Sequence, residues 1–466
     1  MQTITPWKLL VGFLFFFQTL AAQNTGQPVL DAYIQEAFAQ NIALQRQTLS
    51  YEKALYALRE AKAAYFPQLS INARYSVAAG GRAIEIPVGD LVNPVYQNLN
   101  LINAIGQATD PTYPAIEEYP TIENVDEFFL RAQEHETKVS LVQPVFNQLI
   151  LKNQQIKKEL VSAEQIGVDL YKRTLVQEVK TAYYQYLLTL EVVKLFDQTK
   201  QLGVENLRTS QSLFDNHQVT IDAVYAAEAQ LKEIEQQLLG AGNDRDVAQA
   251  YFNFLLNAPL ERAIQEIEQA EIPYITTLAE STQMALSQRE ELRQLGVYLS
   301  AADHKVGLDQ SAYYPNLAIA AEYGFQGVTY SFGEEDDYFL GSVVLTVPLF
   351  QGTTAPKVQQ SRIEKEQLVQ QLEETRSQLS LQVLQTYRKV QTAYEAIEVA
   401  KAQVESAEKA YTVVAKKYKQ GQTNLITLTD AQTRVTNARQ QAIINRYQYL
   451  IQLAEIERVT ASYPIN

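Results

Sequence analysis

The chain has no cysteine in 466 residues. Disulfides, thiolate metal sites, thiol catalysis and a thiol-linked lipid are therefore excluded. Tryptophan occurs once, at Trp7, and histidine three times, at His135, His217 and His304, which leaves little room for a histidine-based site. No stretch approaches 18 uninterrupted apolar residues, so no transmembrane helix is expected. Basic residues are in deficit, 39 against 53 acidic, for a net charge of −14. That balance argues against nucleic-acid binding as a bulk property and helps an exported protein stay soluble before assembly. GxSxG, HExxH and Walker-type glycine loops are missing as well, so no catalytic, metal or cofactor site is expected. The many carboxylates lie on charged helical faces.

Glycine and proline are missing from residues 357–420. Within that stretch Leu379, Val383, Val390, Ala393, Ile397, Ala400, Val404, Ala407, Tyr411, Val414 and Tyr418 recur at spacings of four and three, with Thr386 in the one polar gap. A seam of period 3.5 sustained this long predicts a supercoiled helix packed along its length. At the α-helical rise the run reaches about 95 Å. At the other end of the chain, Lys8 is the only charge before Asp31, and an apolar run over 9–17 is followed by Ala21 and Ala22. This pattern predicts a cleaved secretory leader over 1–22.

The most specific signal is an internal repeat. AYFPQLSINARY at 64–75 matches AYYPNLAIAAEY at 312–323, with Pro67, Leu69, Ile71 and Tyr75 falling on Pro315, Leu317, Ile319 and Tyr323. Val139, Leu141, Pro144 and Phe146 then match Val343, Leu345, Pro348 and Phe350. The same offset of 204 continues into the helices, placing Val179 on Val383, Phe214 on Tyr418, Gln218 on Gln422 and Ala227 on Ala431. The chain thus divides into a leader, a first repeat over 23–271 and a second over 272–466. The first repeat has strands at about 67–77 and 138–147, a long loop over 77–138 and helices to about 258. The second has strands at about 315–325 and 338–348 and helices to about 460.

In the strand motifs Leu69, Ile71, Ala73, Tyr75 and Val77 alternate with Ser70, Asn72, Arg74 and Ser76, and Leu317, Ile319, Ala321, Tyr323 and Phe325 alternate likewise. Period two with one apolar face is a half-buried strand. About ten residues of this pattern suit an outer-membrane barrel, with Tyr65, Phe66, Tyr313, Tyr314, Phe146 and Phe350 as interface aromatics. Four strands cannot close a barrel, and lipid forbids open edges. Copies of the chain must share one, and three copies of four strands give twelve. Pro67, Pro144, Pro315 and Pro348 are expected where helix and strand meet, since proline continues neither ladder.

Two helix-to-helix turns are the functional candidates, 216–222 (NHQVTID) and 420–426 (QGQTNLI). Gly421 suits the left-handed end of a helix, with His217 in the equivalent place. Thr220 and Asn424 suit helix caps. The duplicated strand-and-long-helix pattern, the YFP and YYP entries, the VxLxxPxF exits and the turn GQTNLITLTDAQTRV at 421–435 resemble the TolC family of outer-membrane efflux proteins over essentially the whole mature chain.

The resemblance implies a mainly α fold with a membrane β-barrel part. In it a homotrimer closes a 12-stranded barrel in the outer membrane, continued by a long α-helical barrel in the periplasm. It also implies a periplasmic adaptor and an inner-membrane transporter as partners, beside outer-membrane lipid. The tip residues Gly421, Gln422, Leu425, Leu428, His217, Ile221 and Val224 become adaptor contacts by the same resemblance. Asp430 falls on an acidic position that rings the closed entrance in the family. Thr427 stands where the family commonly has a second acid, and Thr423 where it has arginine. The first-copy acid falls on Ala223, beside Asp222, so Asp430, Thr427 and Asp222 are the gate candidates. The long loop and its short acidic counterpart near 326–337 become extracellular. A periplasmic adaptor and a secreted coiled-coil protein compete with this reading. The first lacks a four-strand duplication and the second lacks alternating strands.

Overall fold

The computed structural model describes residues 28–267 and 277–465; the expected leader and the boundary between the repeats at 271/272 lie outside them. In chain order the elements are α1 (Pro28–Gln40), α2 (Ile42–Ala63), β1 (Gln68–Val77), β2 (Ala83–Ile86), α3 (Val88–Thr109), β3 (Val125–Phe128), β4 (Gln133–Phe146), α4 (Gln148–Asp215) and α5 (Ile221–Leu255). Then follow α6 (Leu278–Gln288), α7 (Glu290–Gln310), β5 (Asn316–Gly327), β6 (Asp337–Thr346), α8 (Thr354–Lys419) and α9 (Leu425–Thr460). The element order runs twice through helices, two sheet strands, a very long helix and a long helix, with α3 and the β2–β3 hairpin added in the first pass. The chain forms two compact units, a helical one (residues up to Leu58, Ile156–Asp303 and from Arg362) and a strand-bearing one (Arg59–Gln155 and His304–Ser361).

The helical unit is built on the expected seams. α4 and α8 run for 68 and 66 residues, about 100 Å each at the α-helical rise. Every member of the 379–418 series on α8 is buried or half-buried, and on α9 Leu428, Ala431, Val435 and Ala438 are buried. The main core gathers Leu30 and Ile34 of α1, Leu175, Val179 and Tyr183 of α4, Phe252 of α5, and Tyr449 and Leu450 of α9. Tyr183 is fully buried, and its hydroxyl donates to the Gln265 carbonyl at 2.8 Å, the partner a buried phenol needs. α1 breaks from α2 at buried Asn41, whose Oδ1 accepts the Leu44 N–H and whose Nδ2 donates to the Leu255 carbonyl, both at 2.9 Å.

Charge is buried here in matched form. Arg173 donates to Glu290 from Nε and Nη2, the shortest contact being 2.7 Å, and from Nη1 to the Tyr463 carbonyl at 2.8 Å. Lys180 pairs with Glu457 at 2.5 Å and lies 4.2 Å above the Tyr463 ring. Glu290 and Glu457 depart from the expectation that the carboxylates lie on charged helical faces. In the fold the two pairs cross-link α4 to α7, α9 and the C-terminal segment, and each buried charge keeps a partner.

In the strand-bearing unit one antiparallel sheet has the order β1-β4-β5-β6. Leu69 lies opposite Leu141, Ile71 opposite Val139, Val139 opposite Tyr323, and Ile319 opposite Val343. Such registers put these residues on one face, while Val142, Leu340 and Val344 fall on the other. The first face is open, with Ile71 74% and Val343 72% exposed. No described strand pairs with the outer edge of β1 or of β6.

Two expectations are corrected here. The stretch 77–138 is not a plain loop. It holds the 22-residue helix α3, the β2–β3 hairpin, and the first residues of β4, which starts at Gln133 rather than near 138. Gly89, Pro94 and Gly106 hid the helix, but side-chain bonds described below support it. Pro144 is not at a strand–helix junction either. It lies inside β4 opposite Ala318, beside a register shift before Phe146. β1 stops pairing at Val142, so the missing N–H of Pro144 costs no ladder bond on that side. Pro67 and Pro315 directly precede β1 and β5, and Pro348 follows β6 by two residues.

Candidate functional site

The two helix-to-helix turns share one backbone solution. After α4, His217 is left-handed (φ 57°). Its N–H reaches the Phe214 carbonyl and that of Gln218 reaches Leu213, both at 2.8 Å. After α8, Gly421 is left-handed (φ 65°), and the N–H groups of Gly421 and Gln422 reach Tyr418 and Lys417, both at 2.9 Å. These paired bonds close a helix on a residue of positive φ. Glycine adopts that conformation freely and histidine only with strain.

The next helices start differently. Asn424 Oδ1 accepts the Thr427 N–H at 3.0 Å and the Thr427 hydroxyl at 2.7 Å, a true cap. Thr220 occupies the cap position of α5 without a side-chain cap bond, so the expectation of a threonine cap fails. Its oxygen leaves the first turn of α5 uncapped.

The apolar residues beside the turns divide into two sets. Leu425 and Leu428 join Leu213, Ala227 and Tyr418 in a cluster drawn from both copies, with Val219 and Ala223 packed around it. Val224 is buried too. These three were expected as exposed contacts, and they are instead the filling that ties one turn to the other. Ile221 and Ile426 are exposed, Ile426 to 76%, and His217, Gly421 and Gln422 are exposed beside them. The turns adjoin, since a Cβ on Gly421 would lie 3.5 Å from Gln218 Oε1.

A polar layer lies further along the same helices. Asn206 Nδ2 donates to Gln432 Oε1 at 2.5 Å, and the hydroxyls of Ser210 and Tyr418 share a hydrogen bond of 2.7 Å with both residues buried. Burial raises the Tyr411 phenol pKa, partly offset by a hydrogen bond with Asn206. Of the gate candidates, Asp430 is exposed and accepts from Arg434 Nε at 3.0 Å within α9. Thr427 is spent on the cap, and Asp222 is exposed in the first turn of α5. The structure therefore does not bring the three into contact within one chain. Lys416, Lys417 and Lys419 crowd the last turn of α8, where the helix dipole favours cations.

The second feature is the other face of the sheet, which carries a charged cluster that the sequence reading passed over. Lys138 Nζ lies 3.1 Å from Glu136 and 2.9 Å from Glu322; Arg74 lies 3.3 Å from Glu136. The Ser140 hydroxyl donates to Glu322 at 3.2 Å and that of Tyr338 to Glu136 at 3.1 Å. The signal was available: Glu134, Glu136 and Lys138 alternate just ahead of Val139 and Leu141. Among the described residues no His/Asp/Glu group is arranged to hold a metal, and no helix is long and apolar enough to cross a membrane.

Residues 282–462 match the family described as outer membrane efflux protein. Outer membrane protein TolC of Escherichia coli (strain K12) is 21% identical over 441 residues, covering 91% of this chain and 80% of that protein. The outer membrane protein VceC from Vibrio cholerae superposes with a TM-score of 0.72 at 14% identity, covering 93% of this chain and 97% of that one. The Campylobacter jejuni CmeC outer membrane channel superposes at 0.70, also at 14% identity, covering 99% and 94%. The solved relatives share this fold of long helices and a strand-bearing part. Residues 282–462 thus carry the match to the outer membrane efflux protein family, and the chain as a whole is similar to TolC over most of its length.

Proposed function

We propose that three copies of this chain form the exit duct of a tripartite efflux or type I secretion system in the outer membrane. The observation that carries the proposal is the sheet. One face shows an open band of leucine, isoleucine, valine and aromatic side chains, the other a charged cluster, and both edges lack a partner. In water such a face is a liability; in lipid it is what a barrel exterior requires. Open edges are not tolerated there, so β6 of one copy pairs with β1 of the next and three copies close twelve strands around a polar lumen. The chain splits into its two repeats, 23–271 and 272–466, each supplying two strands and one pair of long helices to the assembly. The helices continue the duct into the periplasm.

The paired turns are the periplasmic tip. His217, Ile221, Gly421, Gln422 and Ile426 offer an adaptor hairpin an exposed, small-featured surface, while Val224, Leu425 and Leu428 hold that surface in shape. Asp430, repeated by the three-fold axis, rings the entrance with Asp222 and Thr427 nearby, and Arg434 moderates its charge. Neither catalysis nor a cofactor has a part. Periplasmic substrates pass from an inner-membrane pump through the tunnel.

The test is assembly and conduction. The mature protein purified in detergent should run as a heat-modifiable trimer and open ion-conducting channels in planar bilayers. A monomer that stays dissolved without detergent would end the proposal. Asp430→Ala should raise basal conductance, and an unchanged value would remove Asp430 from the gate.

A further inference from the structure

The insert between β1 and β4 carries a helix whose amphipathicity is inverted. α3 turns its polar face toward its own chain. Asn93 donates from Nδ2 to the Ile122 carbonyl and accepts the Ile122 N–H at Oδ1, both at 2.8 Å. Asn100, two turns on, does the same to Tyr119, donating at 3.0 Å and accepting at 2.8 Å. Asn124 Oδ1 accepts the Asp90 N–H at 3.1 Å, and Tyr96 stacks on Tyr119 with ring centroids 5.0 Å apart. Two asparagines seven residues apart share one helix face, so their amides hold an extended strap over 119–124 as a neighbouring strand would. Gly89 is required for this, since a Cβ there would come within 2.3 Å of the Ile122 carbonyl oxygen.

The opposite face is left apolar and open. Leu91, Val95, Ile102 and Ile105 line it, all more than half exposed, at spacings that form one stripe. The strap is already satisfied by the asparagines and has no use for this stripe. An anionic membrane surface would select lysine, arginine and large aromatics. α3 has no lysine or arginine, its one aromatic, Tyr96, is turned to the strap and stacked on Tyr119, and its one charged residue is Asp90. A charged soluble partner would find no complement on an uncharged stripe. A second copy does, because the stripe complements itself. Connectivity also brings copies there: only residues 78–87 separate α3 from β1, an edge strand, at the end of β1 remote from its helix junction at Pro67.

We propose that α3 helices of neighbouring copies pack stripe against stripe around the three-fold axis, as a cap that narrows the outer mouth of the duct. This rests on the trimeric barrel proposed above.

Because the chain has no cysteine, Ile102→Cys introduces a single thiol. A short bismaleimide added to the purified trimer should give a covalent dimer with Ile102→Cys and with Ile105→Cys, but not with Gln97→Cys on the flank. Replacing Leu91, Val95, Ile102 and Ile105 together by Asn should raise single-channel conductance severalfold while the unheated trimer band persists. An intact trimer with no cross-link at 102 and unchanged conductance overturns the cap and leaves the duct standing. Shielding of Ile102→Cys from a water-soluble maleimide only when lipid vesicles are present assigns the stripe to lipid and likewise overturns it. Absence of any trimer in the unsubstituted protein removes the duct itself, and the cap with it.

Discussion

The helical unit and the strand-bearing unit solve the same problem to different degrees. In the first, a single chain covers its helix seams and pairs its buried charges. The seam residues of α8 and α9 are covered, Tyr183 has its carbonyl, and Arg173 and Glu290 have each other. In the second, the chain leaves large demands open: an uncovered aliphatic face, two unpaired strand edges and the bare stripe of α3. The helical unit closes its core within one chain, and the strand-bearing unit leaves a face and two edges uncovered. The contrast is testable, because substitutions should damage folding in one and assembly in the other.

The largest effect is expected at Arg173. Arg173→Ala strands Glu290 in the core and removes the donor to the Tyr463 carbonyl, a loss of about 3–5 kcal/mol. Thermal unfolding followed by circular dichroism should show it. The double variant Arg173→Met with Glu290→Met should recover most of the loss, because a buried pair contributes little beyond what an apolar pair of similar volume supplies. If the double variant were as poor as the single, the pair would have a role beyond neutralising its own charges.

The next effect belongs to the sheet and uses two neighbours on opposite faces. Ile71→Arg puts a guanidinium on the aliphatic face, where the cost in lipid is about 2–4 kcal/mol near the bilayer midplane. Asn72→Arg puts it on the face that already carries Arg74, Glu136 and Lys138, and should be tolerated. The readout is the share of heat-modifiable trimer in the membrane fraction. Equal loss from both substitutions would break the distinction between a lipid face and a lumen face.

How much of this was legible depended on whether a segment's pattern was local. The α8 seam, the alternation in β1 and β5 and the left-handed residues His217 and Gly421 follow from spacing alone, and all took the expected form. α3 did not, because its stabilising contacts are amides reaching residues 19 and 29 positions away, and Gly89, Pro94 and Gly106 read as loop. Arg173 and Glu290 were missed for the same reason: 117 residues apart, neither announces burial in its own neighbourhood. At the tip, residue types identified the turn but not the depth. Leu425 and Ile426 are adjacent, and only packing against Tyr418 and Leu213 decides that the first is buried and the second exposed.

A smaller effect lies at Asp309, where α7 meets α8. Burial alone would raise its carboxyl pKa, but hydrogen bonds from Lys305 at 2.7 Å and from Ser361 outweigh it and hold the pKa below the ordinary 3.8. A depressed carboxylate adds stability that is complete above its unfolded value and fades as pH falls through its folded value. The contribution should therefore be present at neutral pH and disappear on acidification below about pH 4. Asp309→Asn should cost about 1–3 kcal/mol at pH 7 and flatten that acid limb. A variant with an unchanged acid limb would move the titration to another carboxylate.

The smallest effect returns to the two turns, which differ in the cap of the following helix and in the residue at the left-handed position. Asn424→Ala removes an acceptor used by the Thr427 amide and hydroxyl and should cost about 1 kcal/mol. Thr220→Ala, at the equivalent place, removes a side chain that caps nothing and should be nearly silent. His217→Gly should be stabilising by some tenths of a kcal/mol to about 1 kcal/mol, because it relieves a left-handed residue. Gly421→Ala should lose a similar amount, about 1 kcal/mol, by installing that strain. Hydrogen exchange of the first-turn amides of α5 and α9 reads these changes locally. If Thr220→Ala proved as costly as Asn424→Ala, the two turns would be equivalent in solution, and the asymmetry between the copies would have to arise elsewhere than in their caps.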